Sequence, residues 1–112
     1  MPICERTVGD VCVLEVDGRM MAESSDRVVK IVRERLREGR RKFLINLERV
    51  QYIDTTGLAD LVESMTAVKR MGGALKLTLV TRHVHELLRI TGLVKVFEMF
   101  DVESEAIASF GG

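Results

Sequence analysis

A carboxylate, two hydroxyls and a glycine stand in a row at Asp54-Thr55-Thr56-Gly57. Asp is a good helix N-cap, so the two threonines fall in the first turn of the helix that follows. Leu58, Leu61, Val62, Met65 and Val68 then recur at the spacing of one buried helical face. The hydroxyls are thereby presented where the helix dipole is positive and backbone N–H groups lack partners. Adding or removing a phosphate there would change a surface sharply. From the local residues alone, a simple helix cap is the more ordinary reading. Base-and-nucleophile chemistry by Asp54 and Thr55 is a poor third, because adjacent side chains rarely form such a pair and no orienting group is apparent. No enzymatic activity is expected.

The neighbouring residues supply a candidate surface. Gly57 and Ala59 are small enough to let a partner approach closely, although Gly57 equally suits a crowded turn. Asp60, Glu63 and Ser64 fall off the apolar face and are candidate rim contacts, although most residues so placed are merely solvated. His83 and His85 are two apart, so on a helix they point in different directions and hold no common metal. No G-x-x-x-x-G-K-[ST] loop is present, so the chain is expected to cradle no nucleotide and to need no cofactor.

The elements that must position these groups follow from the patterning. Pro2–Val8 and Val11–Val16 are extended segments around a Gly9-Asp10 turn, with Asp17-Gly18 ending the second. That register sets Cys12 opposite Thr7 and Cys4 opposite Glu15, so the cysteines do not meet. A helix from about Glu23 to Glu38 buries Val28, Val29, Val32 and Leu36, with Ser24, Ser25 and Asp26 competing as its cap. Lys42–Leu47 reads as a central strand leading through a loop to Asp54. After the second helix come a strand at Leu75–Val80, a helix at Arg82–Thr91 capped by Thr81, a strand near Val96–Met99, and a helix at Asp101–Phe110. Val102, Ala106 and Phe110 would share one side of that last helix. The order β-β-α-β-α-β-α-β-α predicts an α/β fold: a small mixed, mainly parallel sheet with helices packed mostly on one face.

The 112 residues fit one domain, 1–112, able to form a core without metal or disulfide. Seventeen basic and seventeen acidic residues cancel, which gives no electrostatic drive toward nucleic acid or anionic membrane. Aromatic content of 4% argues against base stacking. The cluster from Arg33 to Lys42 is interrupted by Glu34 and Glu38 and reads as a solvated helix face and end. No apolar run approaches the ~18 residues of a membrane span, and MPICERTVGD carries no export signal. Free thiols and a cytoplasmic location are expected.

With FLINLERV, then Y-I-D-T-T-G-L-x-x-L, M-G-G-x-L-x-L and H-E-L-L-R-I-T-G-L-x-K-V-F, the chain resembles the STAS domain from about Val11 to Ala108. The form it resembles is the bacterial anti-sigma factor antagonist. The signature Asp-Ser-[Ser/Thr]-Gly-Leu appears as Asp54-Thr55-Thr56-Gly57-Leu58, and Thr91-Gly92-Leu93 matches the later S/T-G-L. The resemblance implies a non-catalytic switch. It would bind an anti-sigma factor that is also a kinase, release the sigma factor, and let go when phosphorylated. By position the acceptor is Thr55, where Thr replaces the commoner Ser, with Thr56 as the less favoured candidate and a supporting hydroxyl. The kinase uses ATP bound to itself, and a phosphatase resets the cycle. Asp54, Thr55, Thr56, Gly57, Ala59, Asp60 and Glu63 would form the docking surface of a monomer or weak dimer. The alternative implied is a STAS adaptor that is never phosphorylated, on a lipid transporter or within a larger signalling assembly.

Overall fold

The computed structural model describes residues 2–22 and 26–111. Five strands and four helices follow in chain order. They are β1 (Ile3–Val8), β2 (Val11–Met20), α1 (Arg27–Arg37), β3 (Lys42–Ile53), α2 (Thr55–Arg70), β4 (Ala74–Thr78), α3 (Arg82–Ile90), β5 (Met99–Phe100) and α4 (Glu103–Ser109), with a 3₁₀ turn at Leu93–Lys95 before β5. The strands lie in the spatial order β1-β2-β3-β4-β5. β1 pairs antiparallel with β2 across the Gly9-Asp10 turn, and every later pairing is parallel. The mixed, mainly parallel sheet is therefore as the element order predicts.

Side-chain alternation divides the sheet into two faces. One carries Cys12, Leu14, Val16, Phe43, Ile45, Leu47, Leu75 and Leu77, all buried. Against it pack Val28, Val32 and Leu36 of α1, Leu61, Met65 and Val68 of α2, and Val84 and Leu88 of α3. Each fully buried side chain of this size is worth roughly 1.5–3 kcal/mol. The opposite face, with Val11, Val13 and Leu44, is covered in part by Ala106 and Ile107 of α4 and by Phe110 just after it. Three helices thus lie on one face and one on the other. α4 is tied down by Lys76, whose Nζ donates to the Ser109 carbonyl (3.0 Å) and Oγ (2.9 Å) and lies 4.7 Å from the Phe110 ring centroid.

Four expectations are corrected. β2 and β3 run well past Val16 and Leu47. Their ladder continues through register shifts at Glu15/Asp17 and Gly18/Arg19 up to Met20 opposite Ile53. Gly18, at φ 103°, takes the left-handed backbone that this irregular stretch needs. The expected loop before Asp54 is therefore strand, and buried Val50 and Ile53 anchor it. The last strand is Met99–Phe100, and Val96 is exposed in the turn before it. β4 ends at Thr78, not Val80. Val102 lies at the start of α4 and is 46% exposed, so it is not one of that helix's inward residues.

α1 begins at Arg27. The expected start at Glu23 and the candidate caps Ser24 and Ser25 lie outside the described residues. Asp26 occupies the cap position without a side-chain cap bond and instead pairs with Lys30 at 2.9 Å. The hairpin register is as expected: Cys4 faces Glu15, Cys12 faces Thr7, and both thiols are free.

Candidate functional site

The site is built where β3 turns into α2. Asp54 has an extended backbone, and its Oδ1 accepts the N–H of Gly57 at 2.9 Å, which makes it the N-cap of α2. Its own N–H donates to the Met20 carbonyl at 3.2 Å, so the end of β2 fixes the start of α2. Thr55 and Thr56 follow in the first turn, both exposed. The cap occupies the Gly57 N–H, and the N–H groups of Thr55 and Thr56 are left without an intrahelical partner. Two hydroxyls at the positive end of a 16-residue helix are thus open to solvent.

Gly57 is buried, which corrects its place on the docking surface. A Cβ there would collide with the Met20 carbonyl oxygen and lie 2.7 Å from Ile53 Cγ1. Of the two readings of this glycine, the crowded turn is the one realised, and the close approach it permits is internal. Asp60 and Ser64 are also buried, at 5% and 0% exposure, and are not rim contacts. The Ser64 hydroxyl donates to the Asp60 carbonyl at 2.8 Å. Asp60 Oδ1 accepts the N–H of Val29 at 3.3 Å, at the start of α1. Burial raises the Asp60 pKa to about 7, against the pull of the Val29 N–H. Ala59 and Glu63 are exposed as expected, and Glu63 pairs with Arg33 at 3.3 Å.

The second expected motif comes to the same place. Thr91 and Leu93 meet α2 across an open groove of about 400 Å³ that Thr55, Leu58, Ala59 and Val62 also line. Gly92 carries the chain around this corner at φ 77°. The walls are mainly apolar, and Thr55, not Thr56, borders them. One pairing was not legible in the sequence: Tyr52, 40% exposed, stacks on His83 with centroids 5.1 Å apart. Thr81 Oγ1 donates to the Val50 carbonyl at 3.3 Å and fixes α3 beside β3. His83 and His85 are both exposed, and no group of three His, Cys, Asp or Glu side chains among the described residues could hold a metal.

The fold and the site together define a small α/β module that presents a hydroxyl at a helix N-terminus beside an apolar groove. Residues 5–106 match the sequence profile of the STAS domain, and the chain belongs to that family. A Thermotoga neapolitana relative, a homologue of a candidate anti-sigma factor antagonist, is 29% identical over 96% of both chains. The anti-sigma F factor antagonist of Paenibacillus polymyxa is 24% identical over 87% of this chain and 84% of its own. Among solved structures, a candidate anti-sigma factor antagonist of Thermotoga maritima superposes with a TM-score of 0.90 at 25% identity, over 96% of this chain and 93% of its own. A sulfate transporter family protein of Wolinella succinogenes does so at 0.80 and 25%, over 93% and 87%.

Proposed function

We propose that this chain is an anti-sigma factor antagonist whose docking is set by phosphate at Thr55. The observation that carries the proposal is the placement of Thr55, exposed in the first turn of α2 and bordering the groove that Leu58, Ala59, Val62 and Leu93 line. An anti-sigma factor that is also a kinase docks there while Thr55 is a neutral hydroxyl, and the sigma factor is released. Phosphorylation, with ATP held by the kinase, places about −1.5 to −2 charges at the mouth of an apolar groove. The unpartnered N–H groups of the first turn tolerate that charge, so the fold survives and only the contact is lost. Each ~1.4 kcal/mol of lost contact is tenfold in affinity, and a like-charge clash costs several kcal/mol. A hundredfold switch therefore needs no refolding. A phosphatase restores the hydroxyl.

Asp54 is engaged as the cap, which supports a scaffolding role over that of a base. The test measures binding of the cognate anti-sigma kinase by calorimetry. Thr55→Ala is expected to bind as wild type does, Thr55→Glu at least a hundredfold more weakly, and kinase with ATP is expected to add one phosphate at Thr55 by mass spectrometry. Equal binding by Thr55→Glu and wild type would end the switch reading and favour a fixed STAS adaptor. The resemblance to a sulfate transporter family protein keeps that second reading open.

A further inference from the structure

A larger groove runs between α1 and α2, beyond the Thr55 end. It measures about 610 Å³, has Leu36, Ala67 and Met71 for apolar surface, and has Arg33, Arg37 and Arg70 along its edges. Met71 is 50% exposed there, at the end of α2. Arg33 is matched by Glu63 at 3.3 Å. Among the described residues Arg37 and Arg70 have no carboxylate or hydrogen-bond partner.

Both arginines lie in the last turns of their helices, where cations complement the helix dipole. That role does not account for both. The α1 terminus already receives Arg41, whose Nη1 donates to the Leu36 carbonyl at 3.0 Å. Arg37 and Arg70 instead line, from opposite walls, an apolar floor of exposed Met71, partly buried Ala67 and the edge of buried Leu36. A guanidinium is weakly hydrated and its fork matches a carboxylate, so arginines flanking apolar surface suit an acidic partner. Two neighbouring helices also leave a channel of the shape into which a third helix packs, its side chains at i, i+3, i+4 and i+7.

We propose that the groove between the C-terminal halves of α1 and α2 docks an acidic amphipathic helix of a partner protein. Its apolar stripe would sit on Leu36, Ala67 and Met71, and its carboxylates would pair with Arg37 and Arg70. Charge complementarity selects this occupant: the two free guanidinium groups face a lining with one carboxylate, Glu63, which is already taken by Arg33. The site goes beyond the Thr55 reading and does not depend on it. Glu63 lines both grooves, so they adjoin along α2.

Two synthetic helical peptides of about 18 residues test this, each with one leucine stripe, flanked in one by glutamates and in the other by lysines. Amide chemical shifts of the full chain are followed as each is added. The glutamate peptide is expected to bind and to shift the amides of Leu36, Ala67 and Met71. Arg37→Glu with Arg70→Glu should weaken that binding at least tenfold and create binding of the lysine peptide. Both positions are on the surface, so the double variant should fold, with a Tm somewhat below wild type because acidic side chains replace cations at two helix C-termini. Should it not fold, Arg37→Gln with Arg70→Gln removes the charge without reversing it and should show the same tenfold loss. The proposal is overturned if neither peptide binds, if both bind equally, or if the shifts gather around Thr55 and Leu93. It is overturned too if sedimentation shows a dimer that the double variant abolishes, which would give the groove to a second copy of this chain.

Discussion

Asp60 of α2 caps α1 from outside: its Oδ1 accepts the backbone N–H of Val29 at 3.3 Å, while its Oδ2 is buried with no partner among the described residues. Burial is the main force raising its pKa to about 7, with the Val29 N–H opposing it and Glu63 and Asp26 adding to the rise. Those two carboxylates are themselves paired with Arg33 and Lys30.

The sign of the pH dependence follows. The unfolded carboxyl titrates near 3.8 and the folded one near 7, so the folded state holds the extra proton between them. This group leaves stability intact below about pH 3.8 and takes it away as pH rises through 7. Asp60→Asn is expected to flatten that part of the stability curve. Its Tm should exceed wild type at pH 8 by some 4–8 °C, roughly 1 kcal/mol, with a smaller gain at pH 5. Thermal unfolding of both proteins across pH 4–8 measures the difference in slope. Parallel curves would show that the carboxyl titrates as it does in water.

Gly57→Ala drives a methyl into the Met20 carbonyl oxygen and places it 2.9 Å from Met20 Cβ. Backbone cannot rotate away as a side-chain tip can, so α2 must shift off the end of β2. A loss of about 1–3 kcal/mol is expected from such overpacking. Urea denaturation reads it directly. A wild-type midpoint would mean that the turn has room the geometry denies.

Asp54→Ala removes the acceptor for the Gly57 N–H and should cost about 1 kcal/mol, whereas Asp54→Asn, which still caps, should cost a few tenths. Thr55→Ala and Thr56→Ala lie on exposed positions and should stay within about 0.5 kcal/mol of wild type. The same denaturation series separates the cap from the hydroxyls.

The two thiols should differ in reactivity. Cys4 is exposed, while Cys12 is buried and burial pushes its pKa up. One equivalent of thiol is expected to react promptly with a disulfide reagent in the native protein, and the second only on unfolding. A peptide map after alkylation assigns the fast site to Cys4; prompt labelling of Cys12 would contradict its burial in the core.

Much of this was legible because it is local. The Gly9-Asp10 turn, the Asp54 and Thr81 caps, the apolar spacing of α1 and α2, and the alternation in β4 each need only a few consecutive residues. The extension of β2 and β3 was not legible. Glu48, Arg49 and Gln51 look like a loop until the bulged end of β2 lies alongside and pairs with it. Asp60 and Ser64 were misplaced for a related reason. Helical spacing finds the face turned to the sheet, but α2 has a second buried face turned to α1.

By itself the sequence determined the order of elements, the turn that pairs β1 with β2, and the hydroxyl pair at the head of α2, since torsional preference, capping and hydrophobic period act over one to four residues. The packing of helix on helix and strand on strand decided the rest. It buried a carboxylate against Val29, closed Gly57 over the end of β2, brought Leu93 beside Thr55, and left Arg37 and Arg70 facing open apolar surface. Burial and pairing depend on groups distant along the chain, and no local pattern carries their coordinates.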